Sequence, residues 1–229
     1  MKKQTDSFQY LLFDLDGTLT DPKPGITRCV QYALRKFGID EPDLDKLEPF
    51  IGPPLSDSFR EFYGFDEQMA AEGVAAYRER FADTGIFENE IYPGMKEMLA
   101  GLHDAGRILA VASSKPTVYV KQILTHFGID QYFTVIVGSE LDNTRSKKEE
   151  VIEEVLQQLH QGKNGHNDRT VMIGDRKFDI LGAKLSGLVS VGVTFGYALP
   201  GELEEAGADY IVDTVAQLEK LLLTGSSTE

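Results

Sequence analysis

The sequence predicts an α/β fold: a parallel sheet covered by helices on both faces, with a small α-helical domain inserted after the first strand. Two observations support this fold class. From residue 91 onward, short apolar runs alternate with segments of helical periodicity, as in successive βαβ units. Between residues 21 and 90 the helical pattern continues without a convincing strand. We therefore predict an α/β core domain at residues 1–21 and 91–229 and a helical cap domain at residues 22–90.

The first predicted element is a short buried strand that ends in an acidic turn. Its residues 10–13, Tyr-Leu-Leu-Phe, are followed at once by Asp14, Asp16 and Gly17. Ligands of open α/β sheets bind at the carboxyl ends of the strands, so these carboxylates are placed to hold a divalent metal, to attack a substrate or to transfer a proton. An Asp-Gly pair is also common in turns without any function, so the other segments must show whether this turn belongs to a site.

The inserted domain is predicted to contain three helices. The first has Pro24 in its first turn and ends at Gly38, which is a typical glycine stop. The second follows Pro54, and the third covers residues 66–81 with apolar side chains on one face.

The rest of the chain alternates between strands and helices. The predicted strands cover residues 108–112, 134–137, 170–173, 189–193 and 210–212, the last at an edge of the sheet. The predicted helices cover residues 93–102, 117–127, 148–160, 178–185, 202–206 and 215–223. Residues 225–229 are small and polar, which predicts a frayed tail.

The composition is typical of a folded cytoplasmic protein. Hydrophobic residues make up 41% of the chain and charged residues 26%, which are ordinary globular values. The first ten residues contain no apolar core segment, and no later apolar run approaches membrane-spanning length. The single cysteine, Cys29, excludes an internal disulfide and fits a reducing compartment; its spacing predicts a position in a helix core.

The charge argues against nucleic acid and membrane partners. A net charge of −14 repels anionic polymers and surfaces, so a phosphorylated substrate would need a metal and a few lysines in one cleft. The four histidines show no metal-ligand spacing, and we interpret them as surface or capping residues. They are His103, His126, His160 and His166.

Polar side chains follow four predicted strands. Three groups stand at the strand ends, and the lysines stand at the start of the helix after the third strand. After Asp14 and Asp16, the polar residues are Ser113 and Ser114, then Lys147 and Lys148, then Asp175. All of these positions lie at the same edge of a parallel sheet. Convergence of four independent segments is a strong signal, although a Ser-Ser or Lys-Lys pair alone would be a weak one.

Four motifs carry a resemblance to a known family. They are Phe-Asp-Leu-Asp-Gly-Thr at 13–18, Val-Ala-Ser-Ser-Lys-Pro at 111–116, Lys148, and Gly-Asp-Arg-Lys-Phe-Asp at 174–179. In this order they resemble the motifs of the haloacid dehalogenase-like (HAD) hydrolases. The helical insertion resembles a C1-type cap, and Tyr92-Pro93-Gly94 resembles the phosphoglycolate phosphatase-like subgroup. The resemblance implies a Rossmann-like core, Mg²⁺ and an aspartyl-phosphate intermediate.

The resemblance also implies roles for individual residues. Asp14 is expected to attack phosphorus, and Asp16 to protonate the leaving group and later to activate water. Ser113 and Lys148 are expected to bind the transferring phosphate. The expected metal ligands are Asp14, the backbone carbonyl of Asp16, Asp175 and Asp179, the last directly or through water.

Substrate contacts are less specific in the sequence. The core candidates are Thr18, Ser114, Lys115 and Arg176, of which Ser114 and Lys115 also fit helix capping, and Arg176 also fits the surface. The cap candidates are Lys23, Arg28 and the loop Gly52-Pro53-Pro54. Residues of these types are more often solvated surface charges or plain turns than substrate contacts.

Of the two adjacent lysines, only one can face the core. The residues three, four, seven, eight and eleven positions after Lys148 are Val151, Ile152, Val155, Leu156 and Leu159. The same count from Lys147 meets a mixture of acidic, polar and apolar residues. We therefore predict that Lys148 reaches the phosphate and that Lys147 faces solvent.

The predicted function is a Mg²⁺-dependent phosphatase acting on a small phosphate monoester, with phosphoglycolate as the first candidate and a nucleoside monophosphate as the second. A phosphomutase of the same superfamily would use the same acids. A dehalogenase is disfavoured because it needs neither Asp16 nor a metal. A non-enzymatic phospho-accepting switch is disfavoured because it needs no cap and its length would be that of a single small domain.

Overall fold

The protein divides into two compact units. The structure is a computed structural model that describes residues 8–142, 144–159 and 169–225. The larger unit comprises Met1–Leu19 and Ile91–Glu229, and the smaller one is Thr20–Glu90. Within the described ranges, every helix is too short or too polar to cross a membrane.

The larger unit contains a six-stranded parallel sheet. Its strands are β1 (Tyr10–Phe13), β4 (Ile108–Pro116), β5 (Phe133–Ser139), β6 (Thr170–Gly174), β7 (Val189–Val193) and β8 (Tyr210–Val212). The spatial order is β5-β4-β1-β6-β7-β8, and each neighbouring pair is parallel. This arrangement confirms the predicted fold class, including the edge position of β8.

The first strand is central and buried on both faces. Leu11, Leu12 and Phe13 point alternately to opposite faces, and all three are fully buried. A strand covered in this way is typical of a parallel sheet with helices on each side, and it explains the uninterrupted apolar run in the sequence. Because β1 lies between β4 and β6, the residues that follow it have neighbours on both sides.

The helices agree closely with their predicted positions. They are α1 (Lys23–Lys36), α2 (Leu55–Tyr63), α3 (Glu67–Phe81), α4 (Met95–Asp104), α5 (Thr117–Phe127), α6 (Lys148–Gln158), α7 (Lys177–Leu185), α8 (Glu202–Ala206) and α9 (Val215–Thr224). The predicted end of α6 at His160 falls outside the described residues, as do residues 226–229 of the predicted tail. In α6 the side chains of Val151, Ile152 and Val155 belong to the same core cluster as Leu12 of β1.

The smaller unit is helical, with two corrections to the prediction. Two 3-10 helices, Leu44–Phe50 and Gly85–Phe87, lie in segments where the sequence predicts no helix. The short strands β2 (Thr20–Asp21) and β3 (Glu90–Ile91) pair with each other, so the prediction that no strand occurs between residues 21 and 90 is wrong at its two ends. Two-residue strands escape pattern reading because alternation needs several residues to be visible.

Aromatic side chains form the core of the smaller unit. Phe59 stacks on Phe65 with ring centroids 5.5 Å apart, and Phe50 packs edge-on against Phe59 at 5.1 Å. Such offset and edge-on pairs add to the stabilisation from area burial. Cys29 is buried in α1, as predicted from its spacing.

Candidate active site

The turn after β1 is shaped by a glycine. The backbone N–H of Asp14 donates to the carbonyl of Ile173 on β6 at 2.9 Å, which continues the pairing of the two strands by one residue. Gly17 follows with φ 79°, and a Cβ on it would lie 2.1 Å from Oδ2 of Asp175. The positive φ and the close approach together require glycine here.

Three buried carboxylates meet beside this turn. Asp14, Asp175 and Asp179 each offer an oxygen, and these oxygens lie within 4.8 Å of one another. Asp175 Oδ2 accepts a hydrogen bond from the backbone N–H of Tyr197 at 2.8 Å, and Asp179 Oδ2 accepts one from the N–H of Arg176 at 3.1 Å. The cluster is therefore held by backbone donors as well as by its own strands and helix.

Lys148 supplies a buried positive charge to the cluster. Its Nζ lies 3.0 Å from Asp14 Oδ1 and 2.8 Å from Asp179 Oδ1, and it donates to the carbonyl of Ala112 at 3.0 Å. The stem of the lysine packs on α7 at Gly182, where a Cβ would lie 2.8 Å from Lys148 Cγ. Lys147 is exposed, so the helix has the phase that the apolar spacing predicted.

The end of β4 brings a second lysine to the site. Phe13 is opposite Val111 in the sheet, so Ser113 lies on the strand next to the acidic turn. Ser113 is buried, and its Oγ accepts a hydrogen bond from the backbone N–H of Lys115 at 3.3 Å. The Lys115 ammonium lies 2.6 Å from Asp16 Oδ2.

Burial and mutual repulsion change the acidity of these carboxyl groups. Burial raises the pKa of Asp175 well above its ordinary value, and the nearby Asp179 and Asp14 raise it further. Burial also raises the pKa of Asp179 to about 6, although Lys148 opposes the shift. Burial raises the pKa of Asp16, with Lys115 opposing. For Lys148 burial lowers the pKa, but Asp14 and Asp179 outweigh it and raise the pKa overall.

The donor set fits a hard divalent cation. Asp14, Asp175 and Asp179 offer only carboxylate oxygens, which Mg²⁺ prefers. One lysine shared between Asp14 and Asp179 leaves the cluster with an excess of negative charge when all three acids are ionised. In addition, Oδ1 of Asp16 is buried and, among the described residues, has no hydrogen-bond partner. A cation among the oxygens of Asp14, Asp175 and Asp179 would offset the burial and the mutual repulsion that raise the pKa of Asp175.

Several predicted substrate contacts have protein partners in this structure. Thr18 is fully buried and donates to Asp175 Oδ1 at 3.5 Å. The backbone carbonyl of Ser114 accepts a hydrogen bond from Ser139 Oγ at 2.7 Å. In the smaller unit, Lys23 pairs with Asp45 and Glu48, and Arg28 pairs with Glu88. The loop Gly52-Pro53-Pro54 links the 3-10 helix Leu44–Phe50 to α2.

Neither of the described histidines belongs to the acidic cluster. Both described histidines, His103 and His126, are exposed, as predicted. The predicted surface positions of His160 and His166 lie outside the described residues.

The pattern of the sequence did not single out Glu202. This residue begins α8 and is buried, and its Oε1 accepts hydrogen bonds from Arg176 Nε at 2.9 Å and from the backbone N–H of Lys177 at 2.8 Å. Burial raises the pKa of Glu202, but these bonds outweigh it and lower the pKa overall. Arg176 is thus buried in an ion pair with Glu202. The sequence gives no signal for this pair, because an acidic residue at the start of a short helix is common and does not indicate a partner.

The family relationship follows from the motifs and the fold together. The family model described as "Haloacid dehalogenase-like hydrolase" matches residues 11–193, which include all four motifs. This protein therefore belongs to the haloacid dehalogenase-like hydrolase family, and the predicted family is confirmed.

Three curated relatives are named as a nucleotidase, a tyrosine kinase and a phosphatase. A 5'-nucleotidase from Pseudomonas aeruginosa is 48% identical over 93% of this chain and 94% of its own. The tyrosine-protein kinase PtkA from Mycobacterium tuberculosis is 36% identical over 94% of this chain and 72% of its own. A phosphoglycolate phosphatase from Vibrio parahaemolyticus is 30% identical over 91% of this chain and 93% of its own.

A solved structure supports the same class. The crystal structure of a protein from Clostridium acetobutylicum, described as a predicted phosphatase, superimposes with a TM-score of 0.90. It is 48% identical and matches 95% of this chain and 99% of its own. At the level of enzyme class, the prediction of a phosphatase is confirmed.

Proposed function

We propose that this protein is a Mg²⁺-dependent phosphatase that hydrolyses a small phosphate monoester through an aspartyl phosphate on Asp14. The observation that carries the proposal is the contact of Lys148 with Asp14 and Asp179 in a cluster of buried carboxylates. A phosphate monoester repels an anionic nucleophile, so Asp14 needs positive charge beside it to attack phosphorus. Lys148 supplies part of that charge.

In the first half-reaction a carboxylate oxygen of Asp14 attacks phosphorus, and the bond from phosphorus to the leaving oxygen breaks. Asp16, two residues away in the same turn, gives its proton to the leaving alkoxide. The product is an acyl phosphate on Asp14 and a free alcohol. Lys148 and the Ser113 hydroxyl donate hydrogen bonds to the transferring oxygens.

In the second half-reaction water attacks the phosphorus of the acyl phosphate. Asp16, now ionised, takes the proton from this water, and the bond from phosphorus to the Asp14 oxygen breaks. Inorganic phosphate leaves, and both aspartates return to their starting states. Lys115, 2.6 Å from Asp16, favours the ionised form that this step requires.

Asp14, Asp175 and Asp179 are the side chains that would hold Mg²⁺, together with the backbone carbonyl of Asp16. When bound, Mg²⁺ neutralises charge on the transferring phosphate oxygens. Thr18 and the Tyr197 backbone N–H orient Asp175 by the hydrogen bonds described above.

Residues 22–90 are proposed to act as a cap that selects the leaving group and excludes water. The support is their place in the chain, because the segment leaves directly after the acidic turn and returns before α4. Lys23, Arg28 and the Gly52-Pro53-Pro54 loop remain proposed specificity positions. To contact a bound substrate, Lys23 and Arg28 would have to release the acidic side chains with which they pair in this structure.

For the substrate, we propose a nucleoside 5'-monophosphate ahead of phosphoglycolate. The first candidate from the sequence alone was phosphoglycolate. The order changes because the 5'-nucleotidase relative is 48% identical, whereas the phosphoglycolate phosphatase relative is 30% identical. The match to the 5'-nucleotidase extends over 93% of this chain and so includes the cap, where the leaving group would be recognised.

The PtkA relative provides a second candidate, transfer of a phosphoryl group to a tyrosine hydroxyl. The nucleophile would be the same, and the two functions differ in whether water or a phenol receives the phosphoryl group.

One panel distinguishes these candidates. Purified protein with Mg²⁺ is given nucleoside 5'-monophosphates, phosphoglycolate, a sugar phosphate, and ATP with a tyrosine peptide, and phosphate release and peptide phosphorylation are measured. The proposal expects the highest catalytic efficiency for phosphate release from a nucleoside 5'-monophosphate. Peptide phosphorylation without monoester hydrolysis would contradict it. An Asp14→Asn sample serves as the control for contaminating phosphatase.

A further inference from the structure

Glu202 joins the two loops that hold Asp175. One is the turn after β6 that contains Arg176 and leads into α7. The Arg176 side chain and the backbone N–H of Lys177, the first residue of α7, both donate to Glu202 Oε1. The other follows β7 and contains Leu199, whose backbone N–H donates to Glu202 Oε2 at 3.1 Å. Two of the three donors are backbone groups, so this one carboxylate fixes the course of both loops.

The same two loops meet again at Asp175. The second loop donates to Asp175 Oδ2 through the N–H of Tyr197, two residues before Leu199. At Gly196 the loop passes so close that a Cβ would lie 2.4 Å from Asp175 Cβ and 2.2 Å from the carbonyl oxygen of Gly17. A shift of either loop would therefore move the Asp175 carboxylate or break its hydrogen bond.

Glu202 also determines where a buried positive charge lies. Arg176 is adjacent to Asp175 in sequence, and its backbone N–H holds Asp179. The Glu202 ion pair holds Arg176 Nε at 2.9 Å from Glu202 Oε1, which fixes the position of the guanidinium.

We propose that Glu202 is a positioning residue for the metal site: without touching the metal, it fixes the two loops that orient Asp175 and it retains the Arg176 guanidinium. This inference rests on the proposed Mg²⁺-dependent function. A purely structural role predicts a different result, because a buried ion pair lost from a rigid site lowers stability without changing the affinity of the folded protein for metal.

The test is direct metal binding to the folded protein. Mn²⁺ is titrated into wild type, Glu202→Gln and Glu202→Ala, and the free ion is counted by electron paramagnetic resonance. Glu202→Gln keeps the side-chain volume and one acceptor oxygen, so it can still be measured if Glu202→Ala does not fold. Glu205→Gln, an exposed acid on the same helix, is the matched control.

We expect Glu202→Ala to bind Mn²⁺ at least about tenfold more weakly than wild type, Glu202→Gln to lie between them, and Glu205→Gln to match wild type. The rise in melting temperature on adding Mg²⁺ to chelator-treated protein should shrink in the same order, since that rise depends on affinity. If wild type and both Glu202 variants bind Mn²⁺ equally, the positioning role is wrong and the proposed function stands. If wild type binds no Mn²⁺, both are wrong.

Discussion

The Lys148 ammonium lies 3.0 Å from Oδ1 of Asp14, and both side chains are buried. Lys148 is the first residue of α6, where the helix dipole disfavours a positive charge. Burial adds the cost of lost hydration. The contacts with Asp14 and Asp179 offset both costs, so the lysine stays charged beside the proposed nucleophile.

The first prediction concerns the two adjacent lysines. Lys148→Ala should lower kcat/KM at least about a hundredfold, because it removes a charged donor to the transferring phosphate. Lys147→Ala should change kcat/KM by less than about fivefold, because Lys147 is exposed at the helix start. Steady-state hydrolysis with both variants checked for folding by circular dichroism measures the difference. The reverse ranking would contradict the role given to Lys148.

Removal of the metal should abolish phosphatase activity. Asp14, Asp175 and Asp179 repel one another when ionised, and the single charge of Lys148 compensates them only in part. Protein stripped with a chelator should lose activity and regain it with Mg²⁺. The stripped protein should also melt at a lower temperature than the Mg²⁺-loaded form. Full activity in excess chelator would exclude a metal requirement.

Gly17 should tolerate no side chain. Gly17→Ala forces a Cβ to within 2.1 Å of Asp175 Oδ2 and also strains a residue with φ 79°. Gly38→Ala is the matched control, because φ is 73° there and nothing lies within 4 Å of the added Cβ. Gly38→Ala should cost about 1 kcal/mol of unfolding free energy, and Gly17→Ala about 1–3 kcal/mol more. Urea unfolding of both variants gives the comparison, and equal costs would show that Asp175 does not restrict this turn.

The ion pairs of Glu88 predict a pH dependence of stability. Glu88 accepts from Arg80 and Arg28, and its pKa is lowered mainly by the Arg80 hydrogen bond. A folded-state pKa below the ordinary value means that the stabilisation is present above about pH 4.5 and is lost as the pH falls through the folded pKa. Glu88→Gln should therefore cost about 1 kcal/mol at pH 7 and almost nothing near roughly pH 3.

The control for Glu88 is Glu61→Gln, an exposed acid on α2. It should leave the free energy of unfolding close to that of wild type at both pH values. Melting curves of the three proteins at pH 7 and pH 3 provide the measurement. A Glu88→Gln destabilisation that persists at the lower pH would show that lost packing, not lost charge, is responsible.

The sequence predicts the sheet and most of the acidic site because these depend on strong local patterns. The apolar run of β1 is visible since both faces of the strand are buried, and the phase of α6 is visible since its apolar residues recur at helical spacing. Asp14, Asp175 and Asp179 were predicted as metal ligands from the motifs. The structure brings these three carboxylates together.

What the sequence misses depends on contacts between distant segments. Glu202 receives donors from Arg176 and Lys177, and no local pattern connects residues so far apart. The pairing of β2 with β3 is too short to produce alternation. Lys115 was predicted to bind substrate or to cap a helix. Its contact with Asp16 required the register of β1 against β4, which the sequence alone does not specify.

The central claim is that a phosphoryl group is carried on Asp14, and trapping it is the most direct test. With p-nitrophenyl phosphate the leaving group needs no proton, so Asp16→Asn should be phosphorylated but should fail to activate water. Borohydride reduces an aspartyl phosphate to homoserine, so peptide mass spectrometry should then find homoserine at residue 14. The control is the double variant Asp14→Asn with Asp16→Asn, which should give no homoserine. Continued phosphate release by Asp16→Asn with no modified residue 14, or modification of another residue, would contradict the covalent mechanism.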